Sequence, residues 1–129
     1  MNITRLLMPL IIGLAVFKVG LAGDESVIGY MSVQEAYDDL DSNPSAKLTE
    51  YEGWSIFNIK QDNKYILWSF TPEDHSAHPA AIRREVVSKE GEVYISMSAL
   101  CHADKWSCDQ LIEEFKLINE NIKKRMAGS

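Results

Sequence analysis

Gly53-Trp-Ser-Ile-Phe-Asn-Ile-Lys-Gln-Asp-Asn-Lys-Tyr-Ile-Leu-Trp-Ser-Phe70 sets two runs of β-branched and aromatic residues on either side of the turn-forming Gln61-Asp-Asn-Lys64. That composition predicts a β-hairpin. Strand residues alternate between faces, so Ile66, Trp68 and Phe70 share one face while Tyr65 and Leu67 share the other, and both faces carry apolar groups. Downstream, Ile82 to Ser88, a turn at Lys89-Glu-Gly-Glu92, and Val93 to Met97 predict a second hairpin. Two hairpins make a four-stranded antiparallel sheet.

Helical patterns flank this sheet. Ser32-Val-Gln-Glu35 is a capping box, after which Val33, Ala36, Tyr37 and Leu40 share a face until Asn43-Pro44 ends the helix. At the other end, Ser107-Cys-Asp-Gln110 is a second capping box, and Leu111, Phe115, Ile118, Ile122 and Met126 follow as an amphipathic stripe. Asp109, Glu113 and Glu114 near its start and Lys123, Lys124 and Arg125 near its end suit the helix dipole. The expected fold is α+β, an N-terminal helix and a long C-terminal amphipathic helix packed on a four-stranded sheet. The stripe is read as core, because a small sheet needs an apolar cover. Two arrangements remain open: the helices cover both faces, or one face stays bare as an apolar patch bearing Trp54, Trp68 and Phe70, a mark of partner or ligand contact.

The chain has 129 residues, 13 basic and 19 acidic side chains, a net charge of −6 and 46% hydrophobic residues. One domain is expected, and the acidity argues against nucleic acid, whose phosphates are bound mainly by Lys and Arg. Met1 to Ala22 has an early charge at Arg5, an apolar run from Leu6 to Phe17, and small residues at Gly20 and Ala22. This is the pattern of a cleaved signal peptide, 1–22, leaving a single domain, 23–129. A membrane anchor is disfavoured, since a spanning helix needs about 20 apolar residues. The expected destination is the periplasm or the secreted space, with membrane contact only through the signal peptide before cleavage.

Export implies an oxidising compartment, so Cys101 and Cys108 are expected to form a structural disulfide. Their C-x6-C spacing matches neither a C-x-x-C redox motif nor haem attachment. Thr71 to Ala80, between the hairpins, is long for a hairpin connection and is the foremost candidate for function. His75 and His78, with Glu73 and Asp74 beside them, offer a ligand set for zinc or copper, against which stands an ordinary ordered loop. Arg83 and Arg84 alternate in facing, so one could bind an anion while the other turns to the opposite face; pairing with a surface carboxylate is the plainer outcome. No G-x-S-x-G elbow or other catalytic constellation is present, and no cofactor is expected.

The string Glu52-Gly-Trp54, Leu67-Trp-Ser-Phe-Thr-Pro72, His78-Pro79, a basic residue at Arg83 or Arg84, Val93-Tyr-Ile95 and the cysteine pair resembles a group of small exported Gram-negative bacterial proteins over about residues 50–125. The resemblance implies periplasmic export and a shared fold, and carries no established active site. The chaperone label that some of them bear gains no support, because the histidine-proline-aspartate tripeptide of J-domains is missing. Two function classes follow. One is a non-enzymatic binding protein contacting a protein or envelope component, for instance an inhibitor or immunity protein against a basic partner, whose encounter the acidic surface would speed. The other is a metal-binding protein or metal-dependent enzyme using His75 and His78, with His102 as a further ligand.

Overall fold

Short turns that need left-handed backbone fix the sheet. Glu52 and Gly53 take φ of 50° and 87°, and Glu90 and Gly91 take 54° and 80°. Positive φ at both central residues matches the twist of flanking strands, so each pair closes a tight hairpin. Asp62, at φ 48°, opens the two-residue turn between the paired Gln61 and Lys64. The computed structural model describes residues 28–127; the expected signal peptide and its cleavage point lie outside the described residues.

In chain order the elements are α1 (Val33–Asp41), β1 (Lys47–Tyr51), β2 (Trp54–Gln61), β3 (Lys64–Phe70), β4 (Ala80–Lys89), β5 (Glu92–Cys101) and α2 (Lys105–Ala127). All neighbouring strands pair antiparallel in the order β1-β2-β3-β4-β5, a simple meander. The α+β class, the antiparallel sheet and the two helices are as the sequence predicts. The strand count is not. Lys47–Tyr51 is a fifth strand, paired from Lys47↔Asn58 to Tyr51↔Trp54. It sits at the sheet edge with all five residues exposed, so no buried alternation betrays it.

Ser32 caps α1, its hydroxyl accepting from the Glu35 backbone N–H at 3.0 Å. The helix stops at Asp41, just ahead of Asn43-Pro44. Its Val33, Ala36 and Leu40 pack on Phe57, Ile66, Trp68, Phe70, Ala81 and Leu100. Tyr37 meets Phe57 and Phe70 edge-on at 5.3 and 5.2 Å. Burying each such side chain stabilises the fold by about 1.5–3 kcal/mol.

The opposite face belongs to α2, whose Leu111 and Phe115 pack on Ile82, Ala99 and Cys101. Its cap differs from the expected one. Asp104, not Ser107, accepts from the Ser107 N–H at 2.9 Å, so the helix begins at Lys105, ahead of the expected capping box. That contact also holds the Asp104 carboxyl below its ordinary pKa. The buried stripe reads Ser107, Leu111, Phe115, Asn119, leaving Ile118 and Met126 at the surface where core was expected. Cys101 and Cys108 are bonded, with Cα atoms 5.9 Å apart, tying the end of β5 rather than of a fourth strand to the start of α2.

A helix therefore covers each face, which decides between the two arrangements left open by the sequence and rules out one wholly bare face. Trp68 and Phe70, each 5% exposed, are core residues under α1 and not partner-contacting surface. Coverage on the α2 side is nonetheless incomplete. Strands about 4.8 Å apart make five strands about 19 Å wide, against about 10 Å for a helix. Because α2 lies over β4 and β5, Tyr51, Trp54, Ile56 and Leu67 on the same face keep part of their surface open.

Candidate functional site

The Thr71–Ala80 loop is folded, not loose. The Thr71 N–H donates to the Ala80 carbonyl at 3.2 Å and the Ala80 N–H donates to Thr71 Oγ1 at 3.1 Å, prolonging the β3–β4 ladder. Inside it, the His75 N–H reaches the Pro72 carbonyl and the His78 N–H the His75 carbonyl. Ala77 is fully buried; its carbonyl lies 3.5 Å from Cys101 Sγ. The His78–Pro79 peptide is cis. This hydrogen-bonded turn separates two clefts, one on each side of the sheet.

The first cleft, about 570 Å3, opens between the start of α1 and the loop, lined among others by Ser32, Tyr37, Glu73, His78 and His102. His78 Nδ1 lies 2.9 Å from Thr71 Oγ1 and 3.2 Å from the Thr71 carbonyl. A carbonyl only accepts, so the proton placed on Nδ1 satisfies both contacts and leaves Nε2 bare. Although a hydroxyl against an imidazole is the beginning of a nucleophilic pair, Thr71 is 7% exposed and its Oγ1 already takes the Ala80 N–H. Here the threonine staples the loop.

The second cleft, also about 570 Å3, lies between α2 and the uncovered part of β1–β3; Tyr51, Glu52, Trp54, Ile56, Ser69, His75, Arg84 and Glu114 reach it, as do Phe115, Leu117 and Ile118. His75 Nδ1 accepts from the Ala77 N–H at 3.0 Å, which places its proton on Nε2, 4.0 Å from Glu114 Oε1. Its ring meets Trp54 edge-on at 5.4 Å. Arg84 stands at the base, 7% exposed. Its Nη1 donates to Asn119 Oδ1 at 3.3 Å, its guanidinium lies 4.9 Å from the centre of the Phe115 ring, and its Nε is buried without a hydrogen-bond partner. Ser69 Oγ is likewise buried and unpartnered. Among the described residues no carboxylate pairs with Arg84, and burial lowers its pKa.

Neither a known protein family, a curated protein nor a solved structure matches the chain.

The two arginines part as the strand alternation requires. Arg83 Nη2 is bound to Glu85 Oε2 at 2.8 Å on the α1 side and lies over Trp68; its hydrogen bond, with Lys64 nearby, holds the Glu85 carboxyl below its usual range. The two loop histidines also part, His78 into the first cleft and His75 into the second. The structure thus does not assemble them into the expected ligand pair, and among the described residues no group of three or more His, Cys, Asp or Glu is placed to hold a metal ion. Sequence reading missed Tyr51, Ser69 and Glu114 as cleft residues and Asn119 as the partner of the buried Arg84. Only Asn119 left a signal, a polar residue within the apolar stripe of α2.

Proposed function

We propose that this chain is a non-enzymatic binding protein of the periplasm or secreted space, and that it recognises a protein or envelope component through the groove between α2 and β1–β3. The observation that carries this reading is the mismatch between a five-stranded sheet and a single covering helix, which leaves Tyr51 63% and Leu117 68% exposed at the rim. Contiguous exposed apolar surface marks contact with something else. Glu52 and Glu114 border the same groove and the chain carries a net −6, so a basic protein partner is the form that charge favours.

Photo-crosslinking tests this in the native host. With a benzophenone side chain at Tyr51 or Leu117, a discrete adduct should form that weakens with salt, while the same group at Lys89, far along the sheet, should give none. Equal labelling at all three positions, or none, would overturn the proposal.

A further inference from the structure

We propose that the base of the groove is a built site for a small monocarboxylate with an apolar body, Arg84 and Ser69 taking the acid group. This goes beyond the binding reading above: the protein partner meets the rim of the groove, and the acid sits at its base. Folding a guanidinium into a protein without a counter-charge is costly, because its water is lost and not replaced. Here one nitrogen, Nε, has no acceptor at all, and the Ser69 hydroxyl on the neighbouring strand is equally idle. Both belong to residues that line one open cleft. A carboxylate seated there would accept from the planar guanidinium through charge-assisted bonds and from Ser69 Oγ.

The rest of the cleft describes the rest of the ligand. Trp54, Ile56 and Phe115 offer apolar walls, and a cavity of this size takes a small molecule rather than a bare ion. His75 Nε2–H adds a second polar edge. Glu52 and Glu114 at the border repel a second negative charge, which favours a monoanion over phosphate.

Calorimetric titration of the disulfide-bonded protein with 4-phenylbutyrate, 4-phenylbutanamide and inorganic phosphate tests this. The acid should bind, the isosteric amide at least tenfold more weakly, and phosphate more weakly still. Arg84→Met should lower affinity for the acid at least tenfold while leaving cooperative unfolding intact. Should that variant fail to fold, Ile56→Trp, which fills the cleft from its partly exposed strand, should abolish binding of the acid. Acid and amide binding alike, phosphate binding as well as the acid, binding unchanged in either variant, or no binding of the acid would each overturn the site. If the acid fails while crosslinks at Tyr51 persist, the ligand chemistry is wrong and the binding function stands; if both fail, both go.

Discussion

Replacing Arg84 by methionine should make the protein more stable. The guanidinium is 7% exposed, and its unpaired Nε alone costs about 1–3 kcal/mol in the folded state. Burial of the charge adds to that cost. Against this, the 3.3 Å bond to Asn119 is long for a charge-assisted contact and contributes about 1.5 kcal/mol. The cation–π contact with Phe115 contributes about 1 kcal/mol, part of which a methionine sulfur over the same ring retains. The substitution also leaves Asn119 Oδ1 without its donor. The orphaned amide offsets the relief of Nε, so the sign rests on the desolvated charge, whose removal is worth a few kcal/mol; the balance is a gain of about 1 kcal/mol, read as a melting temperature about 4–8 °C higher for a domain of this size. Arg84→Met combined with Asn119→Leu removes the orphaned amide as well and should gain more. Urea titration with an unchanged slope checks both values. A loss of 1 kcal/mol or more in the single variant would show that the guanidinium holds the core together, and the reasoning that treats it as a burden kept for a ligand would fall.

The Tyr30 hydroxyl donates to Asp39, and burial together with that bond pushes its pKa up to about 12 from 10.0. Because the folded value is the higher one, its stabilising effect is complete below about pH 10 and lost as pH rises toward 12; Tyr94, bonded to Glu92, is raised as well, so in a tyrosinate absorbance titration Asp39→Asn should bring forward the part of the late absorbance that belongs to Tyr30. Asp104 acts in the opposite direction, since its lowered pKa means that its cap of α2 is lost as pH falls through the acid range; Asp104→Asn should flatten that part of the stability profile. Reducing Cys101–Cys108 frees a short loop and should cost about 2–3 kcal/mol, measured by denaturation with and without reductant. Phe57→Ala, at a side chain 1% exposed, should cost about 3–5 kcal/mol, whereas Tyr51→Ala at the rim should stay within about 0.5 kcal/mol.

What could be read from the chain is what local chemistry alone determines. The hairpins around Asp62 and Gly91 follow from turn residues between β-forming runs, and α1 follows from Ser32 and Glu35 at one end and Pro44 at the other. Strand β1 escaped because Lys47-Leu-Thr-Glu-Tyr51 buries nothing, although Glu52-Gly53 carried the signal for its turn. The start of α2 was misplaced because Ser107-Cys-Asp-Gln110 resembles a cap as closely as Asp104 does, and which oxygen meets the free N–H groups depends on where the disulfide holds the chain. The site was half legible. Alternation sends Arg83 and Arg84 to opposite faces and sets Glu85 beside Arg83, but what faces Arg84 depends on which strands and helix come to lie against it. Whether Trp68 and Phe70 lie bare or covered stays open in the sequence, because which strands each helix shelters is a property of the assembled fold.

The meander order of the strands also bears on how the molecule forms. Every strand pairs with its immediate successor, and the one covalent crosslink spans a sequence separation of 7. Searching for strand partners is therefore a local affair, and only the docking of the two helices joins distant segments. Chains built this way pay little loop-closure entropy before their contacts reward it, and they fold quickly for their content of sheet. A polypeptide threaded out in an extended state could recover its shape hairpin by hairpin, in the order in which the segments emerge.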